Sequence, residues 1–159
     1  MKGPTHIAGG AVAGLLLASS QSLTLQQALP ITATVMVASL IPDIDICTSK
    51  AGRMIPPASI LIQLFIGHRT LFHSPLLYLA IYAAAISTYP GAATYIHAAA
   101  IGIISHLLLD MMNPAGVPLL WPIGKRFHIA SFRSGGLFDW LLCGVLYLIA
   151  GYLFVRLYI

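Results

Sequence analysis

Five apolar runs, each bounded by polar or turn-forming residues, constrain this chain more than anything else in it. They extend from about Thr5 to Ser20, Leu23 to Ile41, Pro75 to Tyr89, Ala92 to Met112 and Leu137 to Tyr158. A backbone in hydrocarbon must satisfy its own hydrogen bonds, so such runs become helices. Crossing the ~30 Å hydrocarbon core takes about 20 residues, with a range of about 17–25. The first and third runs are short by that rule and would need a thinned bilayer or helical polar flanks. A sixth stretch, from Ala58 to Ile66, follows Pro56-Pro57. Its helix would reach only about 14 Å, too little to cross. The expected fold is an all-α membrane protein of about five transmembrane helices plus a short re-entrant or interfacial helix. It forms one integral membrane domain over residues 1–159.

Charge agrees with this. Charged residues make up 8% of the chain, against about 25% in a soluble domain. The net charge of +4 comes from scattered basic residues, not from a cluster, and no aromatic platform accompanies them, which argues against nucleic acid. Cys47 and Cys143 are isolated, with no CxxC motif. No internal repeat or low-complexity tract is present. Lys2 followed by an apolar run from Ile7 to Ala18 imitates a signal peptide. Pro4, His6 and the small residues Gly9, Gly10, Ala13 and Gly14 instead suit a retained, closely packed helix.

Basic residues orient the spans. With the N-terminus inside, Lys2, Lys50, Arg53, Arg69, Lys125, Arg126 and Arg133 are cytoplasmic and only Arg156 is not. That is a strong positive-inside pattern. A bacterial inner membrane, crossed several times with a cytoplasmic N-terminus, is the expected location. The same topology brings His6, Asp43, Asp45, His68, His73, His106, Asp110 and Asp139 to the inner face. His97 lies at the opposite end of its helix.

Those residues carry the chemistry. The only acidic residues are four aspartates, and charge in such surroundings costs about 2.5–3.5 kcal/mol even on insertion scales. His106 and Asp110 stand four apart on a helix and point the same way. They suit a metal, or a capping Asp beside a packed His. Asp43 and Asp45 follow Pro42, which disfavours helix at Ile41, and in an extended stretch they would share a face. There they could hold a cation, or they could belong to a solvated turn. His68 and His73 precede Ser74-Pro75, an expected N-cap and first helical residue. Arg69 could grip a phosphate or simply set topology. His6 joins the set by depth, whereas His97 and His128 need no role beyond packing or surface. Asp139 could cap the last helix or neutralise Arg133.

Together the histidines and aspartates could hold one or two divalent ions. Zinc suits the mixed nitrogen and oxygen set best, and manganese or iron is compatible with it. Asp43 or Asp45, of which Asp45 is preferred, could take a proton from water. Arg69, with Lys125 and Arg126, could bind the substrate and steady its charge.

Taken in order, His6-x3-Gly10, Pro42-Asp-x-Asp45, Gly67-His-Arg-x3-His-Ser74, His106-x3-Asp110, Asn113-Pro114 and Trp121-Pro122 resemble the YdjM-type, LexA-regulated inner-membrane metal-dependent hydrolases. The match runs from His6 to Pro122. That family is distantly similar to zinc-dependent phospholipase C and zinc-dependent single-strand nucleases. The resemblance implies that His6, Asp43, His68, His106 and Asp110 are ligands. It departs in one respect: the soluble relatives have a later His-x3-Glu pair, and this chain has no glutamate. One or two ions are expected rather than three. The expected function is hydrolysis of a phosphoester, such as a phospholipid, at the cytoplasmic interface. Membrane lipid is the expected partner, and no obligate protein partner is predicted. The alternatives are a metal-ion transporter or sensor and a non-enzymatic scaffold. A transporter would place its ligands near mid-membrane.

Overall fold

A computed structural model describes residues 1–46, 49, 52–54, 71–122 and 124–159. Lys50, His68, Arg69 and the expected helix from Ala58 to Ile66 lie outside the described residues. Among the described residues there are five α-helices and no β-strand: α1 Gly3–Ser20, α2 Leu25–Ala38, α3 Pro75–Thr88, α4 Ala93–Met111 and α5 Leu137–Tyr158. Short 3-10 turns occur at Ile41–Asp45, Gly52–Met54, Leu71–His73 and Pro90–Ala92.

The helices begin where local chemistry allows. Pro4 sits in the first turn of α1 and Pro75 opens α3, positions where a missing N–H costs nothing. The Gln27 side-chain oxygen accepts from the Thr24 backbone N–H at 3.1 Å and closes the start of α2. Asp139, in the first turn of α5, accepts from the Gly135 N–H at 2.6 Å. Gly135 has φ +76, a left-handed geometry that glycine adopts without strain.

Among the described residues, three apolar stretches are long enough to cross a membrane: Leu25–Asp45, Pro90–Met111 and Leu137–Tyr158. The expectation of five transmembrane helices is therefore corrected to about three. Helix α3 has 14 residues, or about 21 Å of rise against a ~30 Å core. Helix α1 has 18 residues, but its glycines, proline and polar residues lower its mean hydropathy.

Small residues set the packing. Helix α1 packs against α2, α4 and α5, and α2 also packs against α4. A Cβ on Gly14 would lie 2.8 Å from the Thr32 Cα, and one on Gly10 would lie 3.0 Å from the Met36 Cα. A Cβ on Gly102 would overlap the Val35 carbonyl oxygen and lie 2.9 Å from the Ala38 Cβ. Backbones approach this closely only where side chains are absent. Helix α3 leans mainly on α4 and buries none of its residues. Large apolar side chains such as Leu148 and Val155 on α5 face outward, as a lipid surround requires.

The packing collects the N-terminus of α1, the C-termini of α2 and α4, and the N-terminus of α5 at one level. The described residues between α4 and α5, 112–122 and 124–136, fold back over that end. The Ile129 N–H donates to the Met111 carbonyl at 2.8 Å and the Phe132 N–H to the Met112 carbonyl at 3.0 Å. An isolated antiparallel bridge joins Val117 and Phe127.

Candidate metal centre

Gly102 lies one turn before His106 on α4. The contact it permits brings the end of α2 against α4 and sets the Ser39 carbonyl oxygen 2.7 Å from His106 Nδ1. A carbonyl only accepts, so Nδ1 carries the proton and Nε2 presents a lone pair. That lone pair faces two carboxylates. Asp43 Oδ1 and Asp110 Oδ2 both lie 3.7 Å from His106 Nε2. A lone pair opposite two anions is repulsive until a positive charge stands between them.

His73 completes the group. Its Nε2 lies 3.8 Å from Asp43 Oδ1 and 3.4 Å from Asp110 Oδ2. One ligand atom each from Asp43, His73, His106 and Asp110 falls within 4.8 Å of all the others. A tetrahedral ion with bonds of about 2.0–2.1 Å spaces its ligands about 3.3–3.4 Å apart. The four histidine–carboxylate distances, 3.4–3.8 Å, are close to that spacing, and two imidazoles with two carboxylates are a donor set that fits a divalent metal. His73, His106 and Asp110 are 0% exposed, and Asp43 is 6% exposed. Asp43 therefore marks the side nearest solvent.

The two aspartates of Pro-Asp-Ile-Asp divide in role. The extended geometry expected there is replaced by the 3-10 turn Ile41–Asp45. Pro42 occupies its first turn, where a fixed φ is compatible with helix. Asp43 then reaches the Nε2 side of His73, and Asp45 reaches the other side, with Oδ2 3.5 Å from Nδ1. A carboxylate behind the ligating imidazole orients the ring and raises its basicity. Burial opposes the charged form of His73, but the carboxylates of Asp110 and Asp45 outweigh it and hold the pKa above 6.5. The field at this ring favours a cation.

His6 is close but differently turned. Its ring stacks on His106 with centroids 3.7 Å apart. Its Nε2 lies 3.2 Å from the Met1 carbonyl oxygen and 3.4 Å from Asp110 Oδ1. Nε2 donates to that carbonyl, so His6 braces the Oδ1 side of Asp110 rather than offering this nitrogen as a lone pair. The α-amino group of Met1 also contacts Asp110 Oδ1. Asp110 thus turns one oxygen toward His73 and His106 and the other to the start of α1.

Asp139 belongs to the frame. Besides the Gly135 N–H, it accepts from Thr5 Oγ1 at 2.6 Å and from the Lys2 N–H at 3.1 Å. It therefore ties the start of α1, and with it His6, to the start of α5. Its sequence signal was only its depth and its place at the start of the last apolar run. The Ser39 carbonyl had no signal at all, because any residue supplies one. Lys125 and Arg126 are exposed in the folded-back segment. His68 and Arg69 lie outside the described residues. His97 is exposed near Tyr82, with ring centroids 5.8 Å apart, well away from the group.

Comparisons with known proteins identify relatives of the chain. The family described as "YdjM inner membrane protein" matches residues 1–158. An uncharacterized protein, YvsG, of Bacillus subtilis strain 168 is 34% identical over 139 residues, covering 87% of this chain and 84% of that protein. The inner membrane protein YdjM of Escherichia coli K12 is 32% identical over 123 residues, covering 74% of this chain and 63% of that protein. No solved structure matches. With three apolar stretches long enough to cross and a family match over nearly its whole length, the chain belongs to the YdjM inner membrane protein family of the bacterial inner membrane.

Proposed function

We propose that this chain is a membrane-bound metal-dependent hydrolase that cleaves a phosphoester, carried by a membrane lipid, at the cytoplasmic face. The observation that supports it most is the His106 lone pair held toward Asp43 and Asp110 by the Ser39 carbonyl. Such a donor set holds a divalent ion, zinc being the first choice for two imidazoles and two carboxylates. When bound, the ion would polarise a phosphoryl oxygen and acidify a water.

The chain's own residues supply the rest. Asp45 holds the His73 ring and His6 braces Asp110, so two ligands are kept in place by neighbours. Asp43, the least buried of the four, lines the side from which substrate would approach. Asp45 was the expected base, but its place behind His73 suits an orienting role. Lys125 and Arg126 are exposed at the same end of the bundle, where a headgroup phosphate would lie. The cytoplasmic assignment rests on the distribution of basic residues.

Burial supports a second reading. Structural metal sites are closed and catalytic ones keep an open position, and three of the four residues here are fully buried. The ion would then only pin α2, α4 and the Leu71–His73 turn together. One experiment separates the two: metal analysis and phospholipid hydrolysis by purified wild type, His106→Ala and Asp43→Ala. Hydrolysis lost with metal in both variants supports the enzyme. Metal without hydrolysis of any phospholipid supports the structural site. Folded wild type that binds no metal sinks both.

A further inference from the structure

A cavity of about 860 Å³ lies along α3 and α4, touched at one end by Leu17 and Gln21 of α1. Its walls are apolar for most of their length, with Leu76 and Leu79 from α3 facing Ile103 and Ile104 from α4. The polar groups are placed toward its ends. Tyr78 lies near the start of α3, with its hydroxyl donating to the Phe72 carbonyl at 2.7 Å. Gln21 and His97 lie at the far end.

The near end lies at the depth of the candidate centre, whose four residues are not themselves among those lining the cavity. Leu107, which lines the cavity, follows His106, and Pro75, which also lines it, comes two residues after His73. From Leu107 to Ile96 the cavity follows α4 for about 16 Å. One leaflet is half of the ~30 Å core, or about 15 Å. The groove is thus as deep as a single acyl chain in one leaflet, and its volume is that of a small-molecule site. Helix α3 buries no residue of its own, so among the described residues little else fills its α4-facing side.

We propose that this groove holds an acyl chain of a membrane phospholipid whose headgroup reaches Asp43, His73, His106 and Asp110. The placement of the headgroup rests on the hydrolase reading above. The occupancy of the groove does not. The chain enters sideways from the bilayer and lies against Leu79 and Ile104. Its end reaches the level of His97, which makes that end a gauge of chain length. Ala85, Ala99 and Ala100, which line the walls, leave the room the chain fills.

Photolabelling tests this. The full chain is reconstituted in phosphatidylglycerol and phosphatidylethanolamine liposomes with a trace of one of two phospholipids. One carries a diazirine near the end of an acyl chain and the other carries one in the headgroup. Adducts are mapped by mass spectrometry, and metal content is measured on the same samples. The acyl probe is expected to label the groove around Ile96 and Ile104 several-fold above the outward Leu148 and Val155 of α5. The headgroup probe is expected to label Phe72 and Leu107. Ala100→Trp, or Ala85→Phe from the other wall, should drop groove labelling to the α5 level while metal content stays the same. Equal labelling of groove and α5, or labelling indifferent to both fillings, overturns the proposal. So does a cross-link from a photoreactive residue at position 104 to a second copy or to residues 55–70. Selective groove labelling without metal or hydrolysis would overturn the hydrolase reading and leave the acyl-chain site standing.

Discussion

The two ends of α4 carry the same residue type and put it to different use. His106, near the C-terminal end, is fully buried, has its Nδ1–H on the Ser39 carbonyl and faces two carboxylates. His97, near the other end, is exposed and has Tyr82 as its ring neighbour. Both are histidines on one apolar helix. What separates them is the approach of α2, which closes on α4 at Gly102 and supplies both burial and a tautomer. A histidine becomes a candidate ligand when a neighbour fixes its proton on the side away from other donors.

The largest expected effect breaks the buried end. Asp110→Ala leaves histidines and the α-amino group without their shared carboxylate. It should destabilise the protein by about 3–5 kcal/mol, as loss of one member of a buried ionic group does. His97→Ala should stay within about 0.5 kcal/mol, like other surface changes. Denaturant unfolding of both variants in the same detergent measures the difference, and equal effects would erase the contrast between the two ends.

Metal occupancy sharpens it next. Zinc at a hundredfold excess over its dissociation constant should stabilise wild type by about 2.7 kcal/mol through mass action. Chelator should remove that increment, and His106→Ala should never show it, while His97→Ala shows all of it. Thermal unfolding with and without zinc is the measurement.

Asp45→Asn tests the division of labour within Pro-Asp-Ile-Asp. An orienting carboxylate lost from behind a ligand weakens metal binding by about 10–100-fold. Asp43→Asn, which alters a ligand itself, should weaken it more. Competition with a zinc indicator ranks the two, and the reverse order would return Asp45 to the ligand set.

Two glycines give a further contrast, the second carrying the smallest effect. Gly102→Ala pushes a methyl into the Val35 carbonyl and should cost about 1–3 kcal/mol through overpacking. Gly144→Ala on α5 meets nothing within 4 Å and should gain up to about 1 kcal/mol from helix propensity. Only the first should also lower zinc affinity, because only the first moves Ser39 away from His106.

Much of this was readable residue by residue, and where the reading stopped has a physical cause. The helices at Leu25–Ala38, Ala93–Met111 and Leu137–Tyr158 follow from apolar runs with no alternative partner for their backbones. The pairing of His106 with Asp110 follows from helical spacing. The number of spans did not follow, because α1 and α3 are apolar enough to be helices yet too dilute or too short to meet the requirement for crossing. The 3-10 turn at Ile41–Asp45 was missed because a proline disfavours helix at the residue before it, yet the turn begins at that residue and Pro42 fits its first turn.

By itself, then, the amino-acid order determined an all-helical membrane chain whose aspartates gather at one end with His6, His73 and His106, and with His97 at the other. Local forces suffice for that: hydrogen bonding in hydrocarbon, helical periodicity and the cost of charge. Only the tertiary structure decided which of those residues meet. It set Asp43 before His73 and Asp45 behind it, turned His6 toward Asp110 and gave Asp139 to the frame. It also chose the proton position on His106 through a backbone carbonyl. Those choices depend on how closely two helices approach and at what register, and no spacing along one chain segment contains that information.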